Sequence, residues 1–362
     1  MPQTDLFAPF TYRGLTFRNR VAMSPLTRAR ASHDSVPGPL QAEYYRQRSS
    51  AGLIVSEAIA VSPEGRGGVN TPGIYTPEQV EGWKLTTSAV HAAGGLIFAQ
   101  LFHAGRVSHS VFSPDGRPPV SPSAIAAEGQ VFTDAGLVPY EAPRALELDE
   151  IAQVIAQYRT AADNAMAAGF DGVELHGAHG YLPDSFLRDV VNDRTDAYGG
   201  TIARRARFMV ELMEQLVESA GVDRVIVRLS PNTSIGGKND SDAAAAFAYV
   251  IDRMNDLDVA WLDLVEGQNL VTRNPDGAID SDALAARFKG KVMRNHLYDR
   301  DMAVYALVSG KADMIAFGRP FIGNPDLVAR LRAGAPLADA PRQTWYSGGA
   351  KGYTDYPAMA DA

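Results

Sequence analysis

Two histidines and a tyrosine lie close together in the segment Glu174-Leu-His-Gly-Ala-His-Gly-Tyr181. A strand that ends near His176, followed by glycines that turn the chain, would let His176, His179 and Tyr181 meet over one opening. Two imidazoles could donate hydrogen bonds to a carbonyl or nitro oxygen and polarise it. A nearby phenol, with a reference pKa of about 10, could then deliver a proton to carbon.

The same histidines allow two other interpretations. A His-x-x-His pair could bind a metal, but this pair lacks the four-residue helical spacing and a clear third ligand, and zinc needs three or four ligands. Both residues could also be structural histidines at the end of a strand. We expect no metal site.

Two arginines end apolar runs, Arg228 in Val225-Ile-Val-Arg-Leu-Ser-Pro231 and Arg319 in Met314-Ile-Ala-Phe-Gly-Arg-Pro320. A guanidinium after a buried strand is costly unless it binds an anion, and its planar shape suits phosphates and delocalised anions. Gly318 and the helix start near Asn324 fit a phosphate site late in a barrel. The alternative is an ion pair with a neighbouring Asp or Glu.

Two polar residues accompany other apolar runs. Thr27 ends Met23-Ser-Pro-Leu-Thr27, and Gln100 lies within Phe98-Ala-Gln-Leu-Phe102. A hydroxyl and an amide that face the same opening could bond the carbonyls and ring nitrogens of a heterocycle. Each could equally be a structural polar group whose hydrogen bonds are made within the protein.

Short apolar runs alternate with helical patterns along the chain, and continuous rather than alternating apolar runs are typical of parallel strands covered on both faces. The predicted strands are Val21–Leu26, Leu53–Ala60, Leu96–Phe102, Gly172–His176, Val225–Leu229, Trp261–Glu266, Lys291–Arg294 and Met314–Gly318. Eight strands alternating with helices form a closed barrel or a doubly wound sheet. No Gly-x-Gly-x-x-Gly follows an early strand, so we predict an α/β fold of the (β/α)8 (TIM) barrel type, with its site at the carboxyl ends of the strands.

Helix signals agree with this alternation. Residues 148–170 carry apolar side chains at helical spacing, with Gly169 as a stop. Thr76 and Pro77 read as an N-cap followed by proline at the first helical position, and Asn324-Pro325-Asp326 is predicted to start a helix in the same way.

Two segments fall outside the repeat, and we expect residues 1–362 to form one domain that includes both. The alternation around Gly14 between Phe10 and Phe17 predicts a β-hairpin at the bottom of the barrel. Residues 104–146, rich in Pro, Gly and Ser, form a long excursion after strand 3, and loops of that length are usually functional, often as lids.

The chain has no cysteine and a net charge of −8. Disulfides, iron–sulfur clusters and thiolate zinc sites are therefore excluded, and neither nucleic acid nor an anionic membrane is an expected partner. Met1–Phe10 lacks the pattern of a signal peptide, and no apolar run approaches the roughly 20 residues of a membrane helix. We expect a cytoplasmic protein whose oligomeric state is open.

Taken together and in order, the motifs strongly resemble the old yellow enzyme family over nearly the whole chain. The motifs are Met23-Ser-Pro-Leu-Thr-Arg28, Ser56-Glu-Ala58, Ala99-Gln-Leu-Phe-His-Ala-Gly-Arg106, His176-Gly-Ala-His-Gly-Tyr-Leu182, Asn192-Asp-Arg-Thr-Asp-Ala-Tyr-Gly-Gly200, Ala316-Phe-Gly-Arg-Pro320, Asn324-Pro-Asp-Leu327 and Gly348-Gly-Ala-Lys-Gly-Tyr-Thr-Asp-Tyr356. The paired histidines, and threonine rather than cysteine at position 27, are most similar to the bacterial branch that includes pentaerythritol tetranitrate reductase.

This resemblance implies a non-covalently bound FMN. The residues that would bind it are Pro25, Leu26, Thr27, Ala58, Gln100, Arg228, Gly318 and Arg319. By motif match, Thr27 would bond the C4 carbonyl, Ala58 would lie along the ring, and Gln100 and Arg228 would bind the pyrimidine. Arg319 would bind the phosphate together with nearby backbone amides.

The resemblance also implies the reaction. NADPH or NADH would reduce the flavin, and an enone, enal, nitroalkene or maleimide would then accept hydride on its β-carbon. His176 and His179 would bind the activating oxygen of this small-molecule substrate, and Tyr181 would protonate the α-carbon. Tyr353 would line the mouth of the site.

Three positions depart from the family pattern. Phe102 stands where relatives often carry Trp, and Gly68 where they often carry Tyr, so the substrate pocket should be wider and both residues should line it. Leu297 occupies a position near the phosphate that is usually glycine, and His296 beside it is a candidate phosphate contact.

Three other functions use some of the same residues. A nitro-ester or xenobiotic reductase would use the same site. From another class, a metal-dependent barrel lyase or hydrolase would use His176 and His179, but it leaves Thr27, Gln100 and the two arginines without a shared purpose. A non-catalytic binding barrel would leave both histidines and Tyr181 idle.

Overall fold

Eight parallel strands close into a barrel in the computed structural model, which describes residues 5–233, 240–267 and 278–359. The strands are β1 (Val21–Met23), β2 (Leu53–Ala60), β3 (Ile97–Phe102), β4 (Gly172–His176), β5 (Val225–Leu229), β6 (Trp261–Val265), β7 (Lys291–Asn295) and β8 (Met314–Phe317). Each strand pairs in parallel with the next, and β8 pairs with β1. The predicted (β/α)8 barrel is confirmed.

The strand bounds follow the apolar runs closely. The bounds of β2, β4 and β5 agree with the prediction. The largest difference is at β1, which ends at Met23 rather than Leu26. Pro25 lacks a backbone N–H and cannot donate to the ladder, so the pairing with β8 stops after Ser24 donates to Phe317.

Helices connect the strands and cover the outside of the barrel. The α-helices in the described part of the chain are Pro39–Gln47, Pro77–Ala92, Leu148–Ala167, Leu182–Leu187, Ile202–Ala220, Ala243–Asp256, Ser281–Arg287, Arg300–Val308, Arg319–Gly323 and Leu327–Ala333. The Thr76 cap is confirmed, because its side chain accepts from the N–H of Gln79 at 3.3 Å. None of these helices combines the length and apolar character needed to cross a membrane.

A helix follows Asn324-Pro325-Asp326, as predicted, but it begins at Leu327 and Asn324 is not its N-cap. The helix Leu327–Ala333 has Asp326 at its N-cap, and Asn324 instead follows the short helix Arg319–Gly323. The side chain of Asn324 donates to the carbonyls of Pro320 and Ala338 and accepts from the N–H of Ala338. Its amide is therefore committed to joining two segments and does not cap a helix.

A hairpin covers the amino end of the barrel, as predicted. Phe10–Tyr12 pairs antiparallel with Leu15–Phe17, and the turn between them contains Gly14 at φ +79°. The Phe17 ring lies 5.4 Å from that of Trp261, the first residue of β6. This contact places the hairpin at the end of the barrel opposite the carboxyl ends of the strands.

The excursion after β3 forms small sheets of its own. Gln130–Thr133 and Gly136–Pro139 form an antiparallel hairpin, and Val120–Ser121 pairs with Arg144–Ala145. Val131 and Phe132 of this hairpin reach the cavity at the carboxyl end of the barrel. The excursion thus supplies part of the wall of the site.

Candidate active site

A cavity of about 450 Å³ lies at the carboxyl ends of the strands, where a barrel of this kind carries its site. Twelve of the residues singled out from the sequence line it: Pro25, Leu26, Thr27, Ala58, Gly68, Gln100, Phe102, His176, His179, Tyr181, Arg228 and Arg319. They come from segments distributed along the chain and meet because parallel strands present their carboxyl ends on one side of the barrel.

A second cavity of about 730 Å³ adjoins the first. The two share Pro25, Leu26, His179, Arg228 and Arg319. Gly318, His296 and Leu297 line only the second cavity. The two cavities together form one cleft, with His176 and Tyr181 in one part, the loops after β7 and β8 in the other, and His179 lining both.

A bulge in β2 helps to shape the floor of the cleft. The register between β2 and β3 shifts between Val55 and Ala58, which brings Ala58 opposite Gln100. Ser56, inside the bulge, accepts a hydrogen bond from the N–H of Gln100 at 3.1 Å. The bulge therefore places a small side chain beside the Gln100 amide.

The two histidines and Tyr181 form one aromatic cluster with Phe102. The His176 ring lies 5.4 Å from the His179 ring and 4.8 Å from the Tyr181 ring, both edge to face. Phe102 meets the Tyr181 ring at 4.5 Å, also edge to face. His179 itself has a left-handed backbone, with φ +60°, and its N–H donates to Ser230 at 2.8 Å.

Both imidazoles are neutral at physiological pH. Burial, followed by the positive charge of Arg228, lowers the pKa of His179 to about 3. Burial also places the pKa of His176 well below its ordinary value, with contributions from His179 and Arg228. A neutral imidazole donates through one nitrogen, and Nδ1 of His176 is buried without a hydrogen-bond partner among the described residues.

Tyr181 retains its proton in the same surroundings. Burial raises the pKa of its phenol to about 12, with smaller contributions from Tyr140 and Tyr346. The group is therefore a hydroxyl donor across the neutral range, held beside two neutral donors.

Arg228 is both ion-paired and available to a ligand. Its Nη1 donates to Asp263 at 2.5 Å, which bears out the ion-pair alternative for one nitrogen of the guanidinium. Its Nε is buried with no hydrogen-bond partner in the described part of the chain, and the residue lines both cavities. Gln100 lines the cleft nearby and donates through Nε2 to Glu174 at 2.7 Å.

These donors fit a flavin mononucleotide. A buried guanidinium with an unpartnered nitrogen and a buried amide suit the carbonyls and ring nitrogens of the heterocycle, and Ala58 leaves room along it. Arg319, which is exposed beside Gly318, lines both cavities and carries a guanidinium, a group that suits a phosphate.

The turn after β7 has the conformation expected of a glycine although it contains none. His296 has φ +101° and Leu297 has φ +53°, and both line the second cavity. A left-handed conformation costs a residue with a side chain roughly 1–2 kcal/mol. Two residues with side chains thus hold left-handed conformations in this turn.

The predicted position of Tyr353 at the mouth is wrong. Tyr353 is fully buried and does not line the cavity; its ring stacks on Tyr44 at 4.1 Å. The guanidinium groups of Arg28 and Arg30 lie 5.1 and 4.8 Å from the centre of the same ring. These contacts hold Tyr353 inside the protein.

Other residues of the C-terminal segment reach the mouth instead, and sequence reasoning missed them. Trp345 and Tyr346 line the cavity, as do Val131 and Phe132 of the excursion hairpin. Arg28 and Arg30 both donate to the carbonyl of Trp345 and so fix this wall. Two adjacent aromatic residues just before the Gly348 motif were the signal in the sequence.

In the described ranges, no group of three or more His, Cys, Asp or Glu side chains is arranged to hold a metal ion. The His176 ring packs against Phe102 and Tyr181, and the His179 ring against His176.

Known proteins resemble this chain over nearly its whole length. The family model described as NADH:flavin oxidoreductase / NADH oxidase matches residues 5–338. The 12-oxophytodienoate reductase 7 of Oryza sativa subsp. japonica is 41% identical, over 98% of this chain and 95% of that protein. The structure of the old yellow enzyme homologue from Zymomonas mobilis has a TM-score of 0.94 and 46% identity, covering 98% of this chain and 99% of the other.

Morphinone reductase is equally similar, with a TM-score of 0.94 and 45% identity over 99% of this chain and 97% of its own. A second structure of that enzyme, in complex with tetrahydroNAD, has a TM-score of 0.92. Together with the match of the family model, these similarities show that the chain belongs to the NADH:flavin oxidoreductase / NADH oxidase family, the family of old yellow enzyme.

Proposed function

We propose that this chain is an FMN-dependent ene-reductase, which uses NADPH or NADH to reduce C=C bonds activated by a carbonyl or nitro group. The observation that carries the proposal is the cluster of two neutral imidazoles and one protonated phenol at one end of a cleft lined by Arg228 and Gln100. Residues 1–362 would act as one domain.

Bound FMN would accept hydride from the nicotinamide and pass it to the substrate. Arg228 and Gln100 would bind the pyrimidine end, Thr27 the C4 carbonyl, and Arg319 the phosphate. Morphinone reductase has been seen with a nicotinamide, tetrahydroNAD, which supports a nicotinamide as the hydride donor here. The guanidinium of Arg228 would stabilise negative charge at the pyrimidine end of the bound group.

His176 and His179 would bind the activating oxygen of the substrate. Since both rings are neutral, each can donate one hydrogen bond without adding a full positive charge beside Arg228. These bonds strengthen as negative charge grows on the oxygen, so they stabilise the transition state more than the bound substrate. They also orient the β-carbon, and Tyr181 holds a proton for the α-carbon.

Replacement of His176 or His179 by Ala tests this assignment. We expect each variant to retain FMN, because neither imidazole belongs to the proposed flavin-binding set, and kcat/KM for 2-cyclohexenone to fall about 100- to 1,000-fold. His91→Ala, on a surface helix where the ring pairs with Asp171, is the matched control and should have wild-type kinetics. Unchanged enone turnover in His176→Ala would contradict the assignment.

The chemistry also suggests the setting in which the enzyme acts. A consumer of NAD(P)H and small activated alkenes belongs in the cytoplasm, where the nicotinamide is supplied. The net charge of −8 supports an enzyme that works without nucleic acid as a partner.

A further inference from the structure

Beneath Gln100 and Arg228 lies a layer of buried carboxyl groups that the proposed mechanism does not use. Glu174 and Asp263 are fully buried on β4 and β6. Asp263 accepts hydrogen bonds from Arg228 through Oδ2 and from Asn295 through Oδ1, both at 2.5 Å. Glu174 accepts from Gln100 through Oε1 at 2.7 Å.

The two carboxyl groups also contact each other within hydrogen-bonding reach. Ionised carboxylates are acceptors only, so such a contact in a buried place requires one proton between them. Asp263 already accepts from a guanidinium and an amide, which stabilises its ionised form. Oε2 of Glu174 is buried and receives no hydrogen bond from the described residues, so it is the atom left to carry the proton.

We propose that Glu174 is a protonated positioning residue that donates a hydrogen bond to Asp263. Asp263 alone then offsets the charge of Arg228. Glu174 also fixes the side-chain amide of Gln100 with its Oε1 toward the cofactor. The proposal rests on the proposed function, in which Gln100 and Arg228 bind FMN. Because Nε2 of Gln100 is held by Glu174, its carbonyl end is left to accept from a ring N–H in the cleft.

The electrostatics of the layer support this arrangement. Burial, reinforced by the negative charge of Asp263, raises the pKa of Glu174 to about 8, so the proton remains at neutral pH. The other groups that face the pair are Arg228, which is positive, and Gln100 and Asn295, which are uncharged. The layer is therefore neutral as a whole, with one positive and one negative side chain.

The reduction potential of bound FMN tests the proposal, because the potential responds to charge and not merely to stability. Glu174→Gln preserves both the neutral charge and the pattern of one acceptor and one donor, and we expect a wild-type potential. In Glu174→Gln/Asp263→Asn nothing offsets Arg228, and we expect the anionic reduced flavin to be favoured at least about tenfold, which is ~30 mV for a two-electron couple. The double variant is needed because Glu174 could ionise in place of Asp263 in the single variant.

A shift of that size in Glu174→Gln alone would overturn the proposal, because it would mean that Glu174 is ionised. No shift in the double variant would overturn the role of Asp263. Infrared spectra provide a second test that needs no folded double variant. The carboxylic acid C=O band of the wild type should be larger than that of Glu174→Gln. Bands of equal size would refute the proton on Glu174. If the wild type bound no FMN, the proposed function would fail, while the infrared comparison would still show whether Glu174 is protonated.

Discussion

Tyr181→Phe separates proton delivery from every other function of the site. The substitution removes one oxygen and keeps the ring, whose edge-to-face contacts with Phe102 at 4.5 Å and His176 at 4.8 Å do not involve the hydroxyl. No hydrogen bond joins this hydroxyl to another of the described residues, so its loss leaves none of their groups unsatisfied. We therefore expect stability and FMN binding to remain as in the wild type.

The expected loss lies in the half-reaction with the alkene. A positioned general acid contributes typically 10²–10⁴-fold, and burial holds the pKa of Tyr181 at about 12, so the phenol is fully protonated and available throughout the neutral range. Reoxidation of the reduced enzyme by 2-cyclohexenone should slow at least about 100-fold, equivalent to ~3 kcal/mol of barrier. Reduction by NADPH or NADH should be unchanged, because that half-reaction needs no acid from the protein.

Anaerobic stopped-flow measurements resolve the two half-reactions, the reduction by nicotinamide and the reoxidation by the alkene. Tyr140→Phe is the matched control, since Tyr140 is a half-buried phenol close enough to influence Tyr181 but does not line the cavity. A nitroalkene provides a second control: its nitro group stabilises the anion formed by hydride addition, so that step should depend less on Tyr181. Wild-type reoxidation of Tyr181→Phe by the enone would refute the assignment of Tyr181 as the acid.

Three further predictions follow from the geometry. Because the pKa of His179 is lowered to about 3, its ring stays neutral and the affinity for an enone should not change between pH 5 and 8; an inflection near 6.5 in a binding titration would contradict this. Gly68→Tyr should fold normally, since an added Cβ meets only Thr71 at 3.6 Å, and it should reduce kcat/KM for bulky alkenes more than for small ones. Gly67→Ala should instead lower the melting temperature, because its Cβ would lie 2.9 Å from that of Ala104. Leu297→Gly should raise the free energy of unfolding by about 1 kcal/mol, because glycine relieves the strain of φ +53°. Leu85→Gly, at an exposed position inside the helix Pro77–Ala92, should lower it by a similar amount. Equal effects of the two substitutions in urea denaturation would show that the turn is unstrained.

The barrel was predictable because its signal is local. Each buried parallel strand is a continuous apolar run bounded by turn residues, as in Val225–Leu229, and the alternation with helices leaves few ways to arrange eight of them. The positions of Gln100, His176 and Arg228 followed, because a barrel brings the carboxyl ends of all its strands to one side.

The rest of the site depends on contacts between segments far apart in the sequence. Tyr353 was placed at the mouth by its motif, but its ring packs on Tyr44 from the first helix, and nothing local to Tyr353 indicates that partner. Asp263 is visible in the sequence as a charge inside an apolar run, but its role depends on the register that sets it beside Arg228. Local patterns predict elements, whereas side-chain partners require the assembled fold.

The visible spectrum of the purified protein during anaerobic titration is the most direct test of whether the chain is an FMN-dependent ene-reductase. We expect a yellow protein whose flavin absorbance is bleached by NADPH or NADH and returns when 2-cyclohexenone is added. A colourless protein that takes up no FMN, or a bound flavin that nicotinamide reduces but no activated alkene reoxidises, would contradict this expectation.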